Sequence, residues 1–202
     1  MRAFGTGKHV EHIYAALFGF ICGSIPFGLL LTKAAGLGDV RDIGSGSIGA
    51  TNVLRTGNKA LAASTVLLDA GKGVLPVLIA RAFAPGTEGV AAVAAVAGHC
   101  FTPWLKFQGG KGFATAAGVL GALNWPLMLL CAGIWAAMIA MSKISSVSSM
   151  TTVIAAPIAA AAFGQHALIA PLIAIAGIVI VQHRANIGRL MRGEEPKVGS
   201  KS

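Results

Sequence analysis

The chain has 202 residues, of which 55% are hydrophobic and 11% charged, and its mean hydropathy is +0.75. An average soluble domain carries about a quarter charged residues, so the composition excludes that class and indicates an integral membrane protein. Aromatic residues make up only 6% of the chain while Ala and Gly abound, which favours closely packed helices over a transmembrane β-barrel. We therefore predict a single all-α membrane domain over residues 1–202.

The charge is strongly basic, with 16 Lys and Arg against 7 Asp and Glu. In a membrane protein such an excess reflects topology first, and no aromatic residues interleave with the basic ones as a nucleic-acid platform would need. Cys22, Cys100 and Cys131 lie in or beside apolar segments at no metal-ligand spacing. We expect packing cysteines, no disulfide, no metal, no cofactor and no nucleic-acid partner.

The first half of the chain predicts two long spans. Residues 1–11 form a polar tail without the cleavage site of a signal peptide. The apolar run His12–Ala35 is long enough to cross a bilayer, with a bend at Gly23–Gly28. Ala60–Ala84 is a second helix, interrupted only by Asp69 and Lys72 on one face. This pair indicates a functional site, a structural ion pair, or a helix whose first turns project into water.

Five further apolar segments follow. Phe113–Leu123 has only eleven residues, short of the roughly twenty that a span needs, and suits a half-helix that lines a cavity. The other four are Glu88–Trp104, Leu127–Met141, Met150–Phe163 and Ala167–Gln182. The total is seven transmembrane helices. With the N-terminus outside, thirteen of the sixteen Lys and Arg residues fall on one side, which makes that side and the C-terminus cytoplasmic.

Four polar clusters lie on this predicted cytoplasmic face. The first, in the loop Gly36–Lys59, contains Ser45, Gly46, Thr51, Asn52 and Arg55, and is either a disordered linker or an ordered binding loop. The others are Gly109–Gly112, Ser145–Ser149 in a hydroxyl-rich turn, and His183–Asn186 at the start of a basic stretch at helix spacing.

Lys111 lies among Gly109, Gly110 and Gly112, where glycine amides and a flexible ammonium group suit a phosphate. On its own such a turn is more often only a flexible basic connection, and His99 before it is a packing residue by default. Because the four clusters share one face, they favour a common anion site. Known hydrolase motifs and the His-x-x-x-x-Asp pattern of thioester-dependent acyltransferases are absent from the sequence.

Three ordered motifs, which together cover nearly the whole chain, resemble the bacterial acyl-phosphate:glycerol-3-phosphate acyltransferase family. They are Gly44–Gly73 with Asn52, Arg55, Asp69 and Lys72; Gly98–Thr115 with Phe107 and Lys111; and His183–Glu195 with Asn186 and Arg189. The resemblance implies an inner-membrane enzyme of seven helices, with its site facing the cytoplasm. Ser47 stands where the family usually has Asn and Gln108 where it often has Lys, which puts affinity in question.

The resemblance implies that the 1-hydroxyl of glycerol-3-phosphate attacks an acyl phosphate to give lysophosphatidic acid and inorganic phosphate, with possible functional coupling to the enzyme that makes acyl phosphate. It assigns catalysis to Lys111, Arg55, Ser149, His183 and Asn186, and phosphate binding to Ser45, Gly46, Thr51, Asn52, Gly109, Gly110 and Gly112. The assignment of Ser149 depends on how the run of serines is aligned with the family's motif. Either His183 or the substrate phosphate is the base, and we favour the phosphate. A transporter or flippase of a phosphorylated solute and a structural subunit are the alternatives.

Overall fold

A computed structural model describes residues 6–199, with side chains from residue 8 onward. Within this part the chain is helical and contains no β-strand. Its α-helices are α1 (Thr6–Gly23), α2 (Phe27–Ala34), α3 (Ala50–Val53), α4 (Lys59–Phe83), α5 (Glu88–Cys100), α6 (Phe113–Leu123), α7 (Trp125–Ser142), α8 (Ser145–Ala162), α9 (His166–Gln182) and α10 (Arg184–Met191).

The predicted all-helical membrane fold is confirmed in its coarse form. Four stretches are long and apolar enough to span a bilayer: Lys8–Ala34, Lys59–Phe83, Trp125–Ser142 and Ser145–Ala162. Helices α9 and α10, which meet at a 59° bend, make a fifth if the two are counted as one span. α5 and α6 are shorter, with 13 and 11 residues. The count of seven crossings and the orientation therefore stay predictions.

Helix α5 is the centre of the bundle and packs against α1, α4, α6 and α9. Its Ala91, Ala92, Ala95 and Val96 are fully buried. Small residues allow this close approach: a Cβ added at Gly23 of α1 would lie 2.0 Å from the carbonyl oxygen of Ala95. The expectation of backbones packed through small residues is confirmed.

The structure corrects several predicted boundaries. Helix α5 ends at Cys100, not Trp104, because Pro103 keeps Thr102 extended and a short 3₁₀-helix Pro103–Leu105 follows. The residues from 6 to 11 belong to α1 and not to a polar tail, while residues 1–5 lie outside the described part. Ser145–Ser149 form the first turns of α8, so they are not a turn, and no serine caps that helix.

Two other predictions are confirmed. The first apolar run breaks between Gly23 and Phe27, and the short helix Phe113–Leu123 has the predicted bounds. The loop between α2 and α4 is ordered, since it contains α3 and 3₁₀-turns. Val40, Ile48 and Val53 of this loop are buried in a cluster with residues of α2 and α4. The linker interpretation is therefore wrong.

Candidate active site

A polar cavity of about 450 Å³ opens where the α2–α4 loop, the turn before α6 and the start of α10 meet. Its lining residues are Ser45, Gly46, Ser47, Phe101, Phe107, Gln108, Gly109, Gly110, Lys111, Gln182, Arg184, Ala185, Asn186 and Arg189. Among the described residues this lining carries three cationic side chains and no carboxylate. The cavity therefore suits an anion, and it brings together three of the four predicted clusters.

Asn52 shapes the wall that the α2–α4 loop contributes. Its amide nitrogen donates to three carbonyl oxygens of the loop, those of Val40 at 2.7 Å, Ile43 at 3.1 Å and Ser47 at 2.9 Å. Its Oδ1 accepts from the Ser45 N–H and from Arg55 Nη1, each at 3.1 Å. Because these bonds engage both ends of the buried amide, Asn52 holds the loop in shape and does not line the cavity.

Two other predicted residues of this loop also lie outside the cavity lining. Thr51 is exposed on α3. Arg55 is exposed as well, but its charge acts on Lys111 across the site. The loop thus presents Ser45 and Gly46 directly to the cavity, whereas Arg55 contributes positive potential.

The Gly-Gly-Lys-Gly turn differs from the predicted phosphate cradle. The N–H groups of Gly109 and Gly110 donate to the carbonyl oxygens of Cys100 and His99, at 3.0 and 3.1 Å. They are therefore engaged with the end of α5, which corrects the expectation that these two amides face a phosphate. The left-handed glycine of the turn is Gly112, with φ of 82°, which precedes α6 and is buried. What the turn offers to the cavity is the side chain of Lys111.

Lys111 is partly buried, and its surroundings are mostly basic. Its pKa is lowered to about 8, chiefly because burial disfavours the charged ammonium group; Glu195 raises the pKa, while Arg189 and Arg55 contribute to lowering it. A cation in such a place gains from an anion more than an exposed lysine does, because less water screens the pair. Lys111 is accordingly the strongest candidate for a phosphate ligand.

His183 and Asn186 stand at the junction of α9 and α10. The Nδ1 atom of His183 lies 2.7 Å from the Val179 carbonyl oxygen, which only accepts, so Nδ1 carries the hydrogen and Nε2 is the free acceptor of the neutral ring. Burial lowers the pKa of His183, which favours that neutral form. The ring is buried and is not part of the cavity lining, whereas Asn186 lines it.

Asn186 presents an acceptor without a partner. Its Nδ2 donates to Glu195 Oε1 at 2.5 Å, while its buried Oδ1 has no hydrogen-bond partner in the described part of the chain. Buried acceptors are rarely left alone, so this atom suits the hydroxyl of a ligand.

The sequence did not single out Glu195 as a site residue. Its carboxylate accepts from Ser146 Oγ at 2.6 Å, Asn186 Nδ2 at 2.5 Å and Arg189 Nε at 2.6 Å, and its side chain is 5% exposed. Burial raises the pKa of Glu195, but these hydrogen bonds outweigh it and hold the pKa below its usual value. Glu195 ties α8 to α10 and fixes the orientation of Asn186.

The fourth predicted cluster reaches the site through a different serine. Ser146, in the first turn of α8, makes the contact with Glu195. Ser149 lies about one turn further along, is buried, and does not line the cavity. The assignment of Ser149 stays a prediction. Several serines follow one another here, so the sequence left open which of them belongs to the site.

A second, apolar cavity of about 160 Å³ lies between α6, α7, α8 and α9. It is lined by Phe113, Ala116, Ala117, Leu120, Met128, Cys131, Ala132, Trp135, Thr152, Val153, Ala156, Leu172 and Ile175. Phe113 follows Lys111 by two residues, and its ring stacks on Trp135 at 6.2 Å between centroids. The linings of the cationic and the apolar cavity therefore come within two residues of each other at the start of α6.

The model of a protein family described as glycerol-3-phosphate acyltransferase matches residues 13–193 of the chain. The chain belongs to this family. A glycerol-3-phosphate acyltransferase of Erythrobacter litoralis is 58% identical over 93% of this chain and 95% of its own length. Another, of Mesorhizobium japonicum, is 53% identical over 94% and 97%.

The solved structures agree with this membership. The glycerol 3-phosphate form of PlsY (YgiH), an integral membrane glycerol 3-phosphate acyltransferase, superposes with a TM-score of 0.88 at 33% identity, covering 93% of this chain and 96% of that one. Its lysophosphatidic acid form gives 0.86 at 32% identity, covering 93% and 95%. Membership in this enzyme family favours the acyltransferase over the transporter and the structural subunit.

Proposed function

We propose that this protein transfers a fatty acyl group from acyl phosphate to the 1-hydroxyl of glycerol-3-phosphate, as the first acylation of phospholipid synthesis. The products are lysophosphatidic acid and inorganic phosphate. The glycerol 3-phosphate and lysophosphatidic acid forms of the similar PlsY structures support the acceptor and the product.

One observation carries the choice of donor: Lys111 lines a cationic cavity and Phe113, two residues on, lines an apolar one. An acyl phosphate has an anionic head and an apolar tail, and it fits this arrangement with the head near Lys111 and the tail between α6 and α9. Its head is also small, so the site needs no surface for a large nucleotide or carrier protein.

The reaction needs little covalent chemistry from the protein. The glycerol-3-phosphate hydroxyl oxygen attacks the acyl carbonyl, the bond from that carbon to the phosphate oxygen breaks, and the hydroxyl proton leaves to a base. An acyl phosphate is an activated anhydride, so positioning and neutralisation of charge supply most of the catalysis. Lys111 and the arginines of the cavity lining balance the two phosphates and the developing oxyanion.

The hydroxyl and its proton are assigned from the remaining geometry. The unpartnered Oδ1 of Asn186 accepts from a glycerol hydroxyl and orients it. His183 is buried behind the cavity lining, so we assign the proton to a substrate phosphate, whose second pKa of about 6 suits a base near neutral pH. Ser45 and Gly46 border the same cavity and position a phosphate from the opposite wall.

We further propose that the protein crosses the bacterial inner membrane seven times, with the cavity facing the cytoplasm. The Lys and Arg distribution supports this orientation. A cavity on the cytoplasmic side permits functional coupling to a cytoplasmic source of acyl phosphate.

The direct test incubates detergent-purified protein with acyl phosphate and labelled glycerol-3-phosphate. We expect labelled lysophosphatidic acid and an equal amount of inorganic phosphate. Absence of the lipid product, or uptake of glycerol-3-phosphate into vesicles without acylation, would overturn the proposal.

A further inference from the structure

A cluster of charged and polar side chains lies inside the bundle and outside the cavity lining. Asp69 and Lys72 of α4 form an ion pair of 2.6 Å, and each side chain is only 3% exposed. The Lys72 ammonium also donates to the Ile25 carbonyl oxygen at 2.7 Å, in the break between α1 and α2. The ring of His99, on α5, places its Nδ1 3.7 Å from Asp69 Oδ1. The burial excludes the interpretation that this part of α4 projects into water.

Such a cluster is costly in a membrane protein, because charges there lose their hydration. His99 Nδ1 has no hydrogen-bond partner in the described part of the chain. A hydrogen bond needs about 2.7–3.2 Å, so a ring displacement of under about 1 Å would join it to Asp69. The Asp69 carboxylate thus lies beside the ring on one side, and Lys72 compensates the charge of that carboxylate.

The other side of the same ring meets the turn that carries Lys111. A Cβ added at Gly110 would lie 2.1 Å from His99 Nε2, so the glycine backbone rests against the ring. The N–H groups of Gly109 and Gly110 are bonded to the Cys100 and His99 carbonyl oxygens. The backbone of the two residues before Lys111 is therefore packed against the C-terminal end of α5 and hydrogen-bonded to it.

We infer that His99, held by the buried Asp69–Lys72 pair, is a positioning residue that sets where the Lys111 ammonium sits in the cavity. The chain of contacts runs from α4 through the imidazole to Gly110 and then to Lys111. The inference deepens the proposed function, because it takes Lys111 as the phosphate ligand. Neither Asp69, Lys72 nor His99 lines the cavity, so none of them is assigned a contact with substrate.

The test is a double-mutant cycle with His99→Asn and Lys111→Met, measured as kcat/KM for glycerol-3-phosphate. In His99→Asn the shorter side chain keeps a polar group near Asp69. It lacks the part of the imidazole ring, around Nε2, that contacts Gly110. A misplacement of about 1 Å can cost about 100-fold in rate, so we expect a loss on the order of ten- to 100-fold for His99→Asn. In the Lys111→Met background the same change should have an effect within about twofold.

A purely structural role predicts a different pattern. The two losses would then multiply, and thermal stability would fall together with activity. Multiplied losses overturn the inference. If His99→Asn does not fold, His99→Gln, whose longer amide reaches toward Gly110, passes through the same cycle and should retain more activity. His166→Asn is the matched control, since His166 is exposed at the start of α9, and it should behave like the parent. A parent protein that makes no lysophosphatidic acid would refute the proposed function instead.

Discussion

Replacing Lys111 by methionine removes one charge from the cavity while keeping a chain of similar length. The side chain lies in the turn before α6 and belongs to none of the buried apolar clusters, so its loss should leave the thermal stability nearly unchanged. Its loss should strongly affect the proposed reaction, which would bring two phosphates into the cavity.

The magnitude follows from the place of this charge. A charge-assisted hydrogen bond is worth about 1.5–3 kcal/mol, and a donor aimed at transition-state charge up to about 4 kcal/mol. Because Lys111 is partly buried, water screens this charge incompletely and the full range applies. We therefore expect a loss of roughly ten- to 1,000-fold in kcat/KM. Lys111→Arg should recover only part of it, because the planar guanidinium places its charge differently.

The assay compares three variants side by side in detergent: Lys111→Met, Lys111→Arg and Gly110→Ala. Gly110→Ala leaves the charge in place, but its Cβ would lie 2.1 Å from His99 Nε2 and must push the turn away. It should therefore lower activity as well. If Lys111→Arg and Gly110→Ala both behave like the parent, the turn is only a flexible basic connection and the reasoning fails.

Four further predictions follow from the same geometry. The KM for glycerol-3-phosphate should rise as the pH passes about 8, since Lys111 loses its positive charge above its pKa; a KM that is flat across that range contradicts the assignment. Gln108→Lys adds a cation to the cavity lining and should lower that KM by up to about fivefold, as expected for about 1 kcal/mol at a solvated position; a higher KM would be evidence against an anion site. Ala132→Phe narrows the apolar cavity and should impair long-chain acyl phosphates more than short-chain ones, whereas equal effects would place the tail elsewhere. Cysteine labels at Met1 and Ser202 should react from outside and from the cytoplasm respectively, and reaction from one side would refute seven crossings.

Hydropathy located the elements of this fold well, because each apolar segment must satisfy its backbone within a helix. The short helix Phe113–Leu123 was predicted with its observed bounds, since Gly112 before it and Asn124 after it are clear signals. The end of α5 was harder: hydrophobicity continues to Trp104, and only Pro103 indicates that the helix stops earlier. The start of α8 was missed because serines favour turns in general, whereas Ser145 and Ser146 begin this helix in the structure.

The candidate site was predicted by residue type more reliably than by role. Lys111 and Asn186 do line the cavity, as their motifs indicated. Asn52 is a residue type that often binds ligands. Its side-chain hydrogen bonds nevertheless go to residues of its own loop, which only the fold reveals. Glu195 closes the third motif but was given no role, because a glutamate in a charged C-terminal stretch has no spacing that indicates its partners. Its partners come from α8 and α10, and a sequence does not show that these helices meet.

The central claim is that the cationic and apolar cavities together select an acyl phosphate as the donor. It is tested most directly by offering purified protein equal concentrations of acyl phosphate and acyl-CoA with different acyl chains, together with glycerol-3-phosphate. The chain found in the lysophosphatidic acid then identifies the donor. We predict that nearly all product carries the chain of the acyl phosphate and that inorganic phosphate appears in equal amount. Comparable incorporation of the chain from acyl-CoA would contradict the account.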